Sequence, residues 1–348
     1  MEKITINTPD SRSEIRVGER WQNVVQLIPS SGVVIITDEN IRSIYGSEFP
    51  DAQVITVKAG EDSKTIQTIE QLGLSLLDAG ADRAAYMLAI GGGVVCDIAG
   101  FLAAIYMRGI SCGYVSTSLL SQVDASTGGK NGVNLGGVKN ILGTIRQPDF
   151  VICDPSMLKT LPEDEYYSGL SELIKTAIIG DRGLFELLEH HHEDIINRNT
   201  ELLEIFISRA VRIKASVVSE DEKEKGLRRI LNFGHTFGHA IEMERSLKHG
   251  FAVASGMELA AAFSYETGLC NREDTDRIIN ILKLFNLIDH QYIPVESMRQ
   301  LITHDKKKSG DDINFVFTSG PGNAEVQKIP ASTILDFYKR FTEKTKKS

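Results

Sequence analysis

Over roughly the first 155 residues, short apolar runs alternate with longer amphipathic stretches. The runs at 32–37, 53–57, 86–90, 113–116 and 151–154 are apolar and nearly free of charge, as strands covered on both sheet faces must be. Between them, 64–79 sets Ile66, Ile69, Leu72, Leu76 and Leu77 at helical spacing, and 97–106 reads as a second helix. Alternation of this kind predicts an α/β domain built on a parallel sheet. Beyond Asp154 the period changes. TLPE at 160–163 has the form of a capping box with proline in the first turn, which predicts a helix start. Amphipathic patterns then fill about 164–179, 183–197, 200–219, 228–245, 250–268 and 273–286. A strand-like run returns at 314–318, and the Lys/Thr-rich end at 343–348 reads as a fraying helix terminus. The expected organisation is an α/β domain over 1–157 and a mostly α-helical domain over 158–348.

Composition narrows the class of partner. The 348 residues are 42% hydrophobic and 24% charged, with 30 Gly and 9 Pro, which excludes a disordered or collagen-like chain. The formal net charge is −9 with no charged tail, so duplex nucleic acid is not an expected partner. No stretch approaches the roughly 18 apolar residues of a membrane span, and residues 1–9 are polar and alternating, unlike a leader. Cys96, Cys112, Cys153 and Cys270 are far apart with no CxxC pair, and they read as buried reduced thiols. A cytoplasmic protein with no membrane partner is expected.

Several segments could carry chemistry. IGGGVVCD at 90–97 follows a strand and opens a helix; its glycines admit a close ligand, and the helix start offers free N–H groups to a phosphate. It is not the G-x-G-x-x-G fingerprint, and a tight strand–helix turn would use the same glycines. TGGKNGVN at 127–134 lies in an expected polar loop, with Lys139 and Asn140 close behind; glycines plus lysine suit an anion, although the spacing is not that of a Walker A loop. NFGHTFGH at 232–239 puts His235 and His239 at i and i+4 on one helix face, with His249 at the next helix start. Thr236 occupies the place where HExxH needs Glu, so a zincin is excluded, but three histidines within fifteen residues point to a divalent metal site. The run 190–192, three histidines on a Glu-rich face, reads as a solvated patch. Glu172 and Lys175 stand at i and i+3 among apolar neighbours, which suggests a partly buried face.

These segments form a set. GGGVVCDIAGF, YMRG, SLLSQVDASTGGKNGVN, KNILG, QPDFVICD, LKTLPEDEYYSGLSELIK, EDEKEKGLRRILNFGHTFGHAIE, HGFAVASGM and DKK occur in that order, and with the Asp38 region they span about 38–307. In this the chain closely resembles the 3-dehydroquinate synthases, a branch of the sugar-phosphate cyclases. The resemblance implies an N-terminal NAD-binding domain, a helical metal-binding domain and an active site in the cleft between them. It implies zinc, or another divalent ion such as Co2+, on Glu172, His235 and His249, and it moves His239 from the metal to the role of active-site acid/base. Catalysis would involve His239, Glu224, Lys130, Lys175, Arg228 and Asn232. NAD would meet Asp38, Asn40, Glu61, Lys64, Gly92, Gly93, Val94, Asp97, Thr117, Ser118, Lys139 and Thr160. The substrate, a small anionic phosphosugar, would meet Arg108, Asp124, Lys130, Asn140, Lys175, Lys214, Arg228, Asn232, His239 and Lys306.

The implied activity is that of a carbon–oxygen lyase acting on phosphate, in the shikimate pathway. 3-Deoxy-D-arabino-heptulosonate 7-phosphate is oxidised transiently by NAD+, loses phosphate by β-elimination, is reduced again, and closes by an intramolecular aldol step to 3-dehydroquinate. A homodimer is also implied. Two departures from the family pattern stand out: Phe251 where Glu usually follows His-Gly, which bears on the surroundings of His249, and Thr117-Ser118 for a Thr-Thr pair. Rival readings are a sister cyclase of the 2-deoxy-scyllo-inosose or 2-epi-5-epi-valiolone synthase type, an iron-type polyol dehydrogenase, and an inert binding protein on the same fold. QVDASTGGKNGVN follows the dehydroquinate pattern, the dehydrogenases lack the dense Lys/Arg set, and every matched metal and base position is filled.

Overall fold

The computed structural model describes residues 1–9, 11–304 and 312–345. They form two compact units: Met1–Tyr166 with Arg198–Lys223, and Tyr167–Asn197 with Glu224–Ser348. A single cut after residue 157 therefore does not describe the packing. The segment Arg198–Lys223 lies with the first unit because the helix Thr200–Glu220, with Leu203, Phe206, Ile207, Ala210 and Val211 buried, packs on the strands Glu2–Asn7 and Arg12–Val17. Glu2 fastens it there, accepting hydrogen bonds from Ser208 Oγ and Arg212 Nε. An amphipathic pattern fixes which face is covered, not which unit covers it.

In the first unit the strands are β1 (Glu2–Asn7), β2 (Arg12–Val17), β3 (Val33–Asp38), β4 (Gln53–Val57), β5 (Tyr86–Gly91), β6 (Ser111–Ser116), β7 (Lys130–Leu135), β8 (Val138–Ile145) and β9 (Phe150–Cys153). Seven make one sheet in the order β1-β2-β9-β6-β5-β3-β4, parallel except at β1/β2. All six residues of β5 are buried, and Ile35, Leu88, Val115 and Ile152 form the core with Trp21, Val24 and Met157. The expected central strands are therefore present, while β1 and β2 add an edge hairpin whose one-sided alternation (Ile4 and Ile6 in, polar residues out) had read as a polar terminus. The chain leaves β3 toward β4 on one side and re-enters at β5 on the other. The carboxyl ends of β3 and β5 thus flank the point where strand order reverses, the usual ligand crevice of an open parallel sheet.

Four local expectations need correction. The loop containing TGGKNGVN ends at Gly129: Gly128 and Gly129 turn with φ of 106° and 70°, and Lys130 opens β7 of the β7–β8 hairpin. Thr160 does not cap the following helix, which runs Glu163–Gly180. Its hydroxyl donates to the Met157 carbonyl and lies 2.7 Å from the Tyr45 hydroxyl. The expected helix 228–245 is two elements, a 3-10 turn Leu227–Asn232 and the helix His235–Arg245, parted at Gly234 with φ of 80°. The expected 183–197 is likewise two helices, Arg182–His190 and His192–Ile196, broken at His191.

The second unit is helical, with a hairpin of β10 (Asp312–Gly320) and β11 (Asn323–Pro330), longer than the expected 314–318. Phe315 and Phe317 of β10 stack into an aromatic cluster with Phe237, Phe263 and Phe337. The helices His235–Arg245 and His249–Glu266 pack through glycines. A Cβ on Gly256 would overlap the Gly234 carbonyl oxygen and lie 2.7 Å from Gly238 N, and one on Gly250 would overlap the backbone of Ser168. Gly250 N–H also donates to Ser168 Oγ at 3.1 Å, fixing the start of that helix on Glu163–Gly180. Among the described residues no helix is long and apolar enough to cross a membrane. All four cysteines are buried and free, as expected.

The glycine contacts make an expectation with an internal control. Gly256→Ala forces backbone against backbone and should destabilise the protein by about 3 kcal/mol or more. Gly73→Ala, on the helix Ile66–Asp78 with nothing within 4 Å of the added Cβ, should stabilise it by about 0.5–1 kcal/mol. Urea unfolding followed by circular dichroism checks both signs.

Candidate active site

In the second unit, Glu172 sits in the middle of the helix Glu163–Gly180 with no solvent exposure. One turn on, Lys175, 2% exposed, pairs its ammonium with Glu172 Oε2. The surface ion pair that i, i+3 spacing usually gives is here a buried one. The other oxygen, Oε1, faces two imidazoles, lying 3.7 Å from His235 Nε2 and 3.3 Å from His249 Nε2. The three ligand atoms all fall within 4.8 Å of one another. Two donors on one tetrahedral ion, each about 2.1 Å from it, are about 3.4 Å apart, so the cluster has the spacing of a metal site.

The second nitrogen of each ring is already engaged. His235 Nδ1 is 3.1 Å from the Phe233 carbonyl, and His249 Nδ1 is 3.0 Å from Glu242 Oε2. Each acceptor requires hydrogen on Nδ1 and leaves the Nε2 lone pair for a cation. Electrostatics agree with that use. Burial, reinforced by the Lys175 charge, presses His235 down to about 3, so its ring is neutral. Burial alone would raise Glu172, but Lys175 and the two imidazoles outweigh it and hold the carboxyl well below its usual range. For His249, burial pulls down, yet bonding to Glu172 and Glu242 lifts it to about 9, so the place a proton takes beside Glu172 is one a cation suits. The donor set, one carboxylate and two imidazoles, fits zinc or cobalt.

His239 is exposed one turn along the same helix, its ring centroid 5.1 Å from that of His235 and 6.0 Å from that of His249. Glu224, in the left-handed region at φ of 54°, accepts a 2.7 Å bond from Asn232 Nδ2. Arg228 is buried. Lys306 lies outside the described residues. Glu242 was not among the expected site residues. Its signal was a carboxylate three residues after His239 and seven after His235, on the same helix face. It also bears on Phe251: the carboxylate that supports His249 comes from position 242, so that support does not depend on what stands at 251.

The first unit gathers a different chemistry. Gly92 precedes the helix Gly93–Ile105, whose first-turn N–H groups point into the crevice beyond β5. The crevice is narrow: a Cβ on Gly92 would lie 3.2 Å from Ser118 Oγ, and one on Gly93 would lie 3.0 Å from the Ala125 Cβ. Thr117, buried beside it, donates its backbone N–H to the Gly91 carbonyl. On the neighbouring strand end, Asp38 caps the helix Glu39–Tyr45 through the N–H groups of Asn40 and Ile41, and burial raises its carboxyl. Lys64, nearly buried, donates to Asp97 Oδ2 at 2.6 Å and to Asn140 Oδ1 at 2.5 Å. Burial lifts Asp97 to about 6 even so. Glu61 and Asn134 close the network through a 3.0 Å bond. A helix N-terminus with bare glycine backbone, flanked by hydroxyls and a lysine, fits the anionic backbone of a dinucleotide.

The expected residues are not all assembled. Lys214 pairs with Asp124 and also donates to its carbonyl at 2.7 Å. Lys130 and Lys139 are exposed on the β7–β8 hairpin, and Thr160 is exposed beside Tyr45. Arg108 stands apart: it follows the far end of Gly93–Ile105, about 20 Å from Gly92 by helix rise, near the amino end of β6. Met107 and Arg108 both adopt positive φ there, 47° and 71°.

Comparison with known proteins bears on both units. Residues 54–168 match the family described as 3-dehydroquinate synthase N-terminal, and residues 169–308 that described as 3-dehydroquinate synthase C-terminal. The 3-dehydroquinate synthase of Dehalococcoides mccartyi (strain CBDB1) is 40% identical over 340 residues, covering 93% of this chain and 95% of that protein. Among solved structures, 2-deoxy-scyllo-inosose synthase complexed with carbaglucose-6-phosphate, NAD+ and Co2+ is similar at 26% identity and a TM-score of 0.85, covering 96% and 98% of the two chains. The 2-epi-5-epi-valiolone synthase of Streptomyces hygroscopicus subsp. jinggangensis 5008, with NAD+ and Zn2+ bound, gives 25% identity and 0.86 over 99% and 98%. The sister cyclases thus share the fold, whereas sequence identity of about 40% over nearly the whole length, together with both family domains in order, shows that the chain belongs to the 3-dehydroquinate synthase family.

Proposed function

We propose that this enzyme converts 3-deoxy-D-arabino-heptulosonate 7-phosphate to 3-dehydroquinate and phosphate, with NAD+ and Zn2+ as cofactors and a homodimer as its working form. The observation that carries the reading is the buried Glu172 carboxylate facing two imidazole Nε2 atoms at metal-ligand spacing, in a chain of this family.

Glu172, His235 and His249 would hold the ion, and Lys175 keeps Glu172 ionised when no cation is bound. The N–H groups of Gly93 and Val94 would bind the pyrophosphate of NAD+, with Asp38, Glu61, Lys64, Asp97, Thr117 and Ser118 around it. When bound, the ion would supply Lewis acidity toward a substrate hydroxyl and the dinucleotide a reversible hydride acceptor. His239 would exchange a proton with the substrate at a ring nitrogen, its neighbour His235 being held neutral. Asn232, oriented by its bond to Glu224, would present its remaining amide atoms to the substrate hydroxyls. Lys130, Lys214 and Arg228 are proposed to bind phosphate and carboxylate; Arg108, which precedes the amino end of β6 whereas Gly92 follows the carboxyl end of β5, is not grouped with them.

The purified protein, given NAD+ and Zn2+, should release phosphate and form 3-dehydroquinate from the heptulosonate phosphate. Turnover of glucose 6-phosphate or sedoheptulose 7-phosphate in its place would assign it to a sister cyclase activity instead. His235→Ala should lose bound zinc and about 10³-fold or more in rate, the equivalent of several kcal/mol of lost charge stabilisation. A variant with full zinc content and full rate would remove His235 from the ligand set.

A further inference from the structure

Glu242 is a half-buried carboxylate that the proposed chemistry does not use. Its helix, His235–Arg245, already carries one expected metal ligand and the expected acid/base, and Glu242 reaches across to the first residue of the next helix, His249. There Oε2 lies 3.0 Å from Nδ1, the ring nitrogen opposite the one that faces Glu172. A carboxylate oxygen accepts and Nδ1 donates in this bond, so Nε2, the nitrogen that faces Glu172, is the one left for a cation. His235 reaches the same tautomer by donating to the backbone carbonyl two residues before it. The two imidazoles are thus set by different means, one by main chain and the other by a side chain from the helix of its partner ligand.

His239, Glu242 and His249 could be taken as a second metal group, since their ligand atoms also fall within 4.8 Å of one another. Geometry argues against it. The nitrogen of His249 bonded to Glu242 is Nδ1, and the hydrogen of that 3.0 Å bond leaves it no lone pair for a second ion. Glu242 serves the first group through His249 and does not found a second.

We propose that Glu242 is a positioning residue for the metal: its hydrogen bond fixes the tautomer and ring plane of His249 and ties the two histidine ligands together through one helix. The inference rests on the metal reading of Glu172, His235 and His249. Fixed ring orientation is what such outer partners contribute to metal affinity, typically 10- to 100-fold.

The test is Zn2+ affinity of the full chain by competition with a chromophoric chelator, for wild type, Glu242→Ala and Glu242→Gln, alongside thermal unfolding of each metal-free protein. Glu242→Ala should bind Zn2+ about 10- to 100-fold more weakly, with a shifted visible spectrum when loaded with Co2+. Glu242→Gln, whose amide oxygen still accepts from Nδ1, should lose distinctly less. Metal-free melting temperatures should differ far less than the affinities, as a merely structural residue would not allow. Should Glu242→Ala fold poorly, Glu242→Leu, similar in bulk and unable to accept, takes its place with the same two outcomes. Unchanged Zn2+ affinity in the Ala or Leu variant, or a Gln variant as weak as either, would overturn the role of Glu242 while leaving the metal site standing. A wild-type protein that binds no Zn2+ would instead overturn the metal reading itself, and this inference with it.

Discussion

An ionised carboxylate held away from water costs several kcal/mol unless charges and hydrogen bonds surround it, and Glu172 is such a group. The compensation has to come from the side chains around it. Lys175 supplies it locally, one helical turn away. The rest comes from His249, which takes a proton beside Glu172; with His235 it starts one of two other helices, so three elements meet at one oxygen. Each histidine has a glycine beside it in the chain. Gly234 lets the first helix start against Met257, and Gly250 lets the second start against the backbone of Ser168, one turn before Glu172. The close helix packing and the ligand geometry are one arrangement seen from two sides.

The first unit works by exposed backbone instead of buried charge. Parallel strands demand crossover helices, and those place a helix N-terminus and bare glycines at the point where strand order reverses. Lys64 joins this edge to the β7–β8 hairpin, reaching Asp97 and Asn140 together. A net charge of −9 describes the surface as a whole and says little about such places, where single lysines are aimed by their neighbours.

What was legible in the sequence follows from burial. Strands β3, β5, β6 and β9 are covered on both faces, so they appear as apolar runs, and the helices with one covered face appear by period. The edge hairpin β1–β2 is covered on one face only and β8 is mostly exposed, so six alternating residues, or a hairpin with Gly132 and Gly143 inside it, do not stand out from a loop. The break at Gly234 was hidden because FGHTFGH keeps helical spacing on both sides of it; close packing on Met257, a long-range contact, is what calls for glycine there. Likewise HTFGH alone suggested that His235 and His239 share a metal. Family resemblance moved Glu172 into the set, and the structure supplies the reason: sixty-three residues before His235 in sequence, it is brought near by packing that no local pattern encodes. The ownership of Thr200–Glu220 by the first unit was invisible for the same cause.

The most direct measurement is zinc-edge X-ray absorption on the protein loaded with one equivalent of Zn2+. Glu172, His235 and His249 as ligands require a first shell of nitrogen and oxygen at about 2.0–2.2 Å that includes two imidazoles. Sulfur scattering at about 2.3 Å, from any of the four cysteines, or a shell with fewer than two imidazoles, would contradict it.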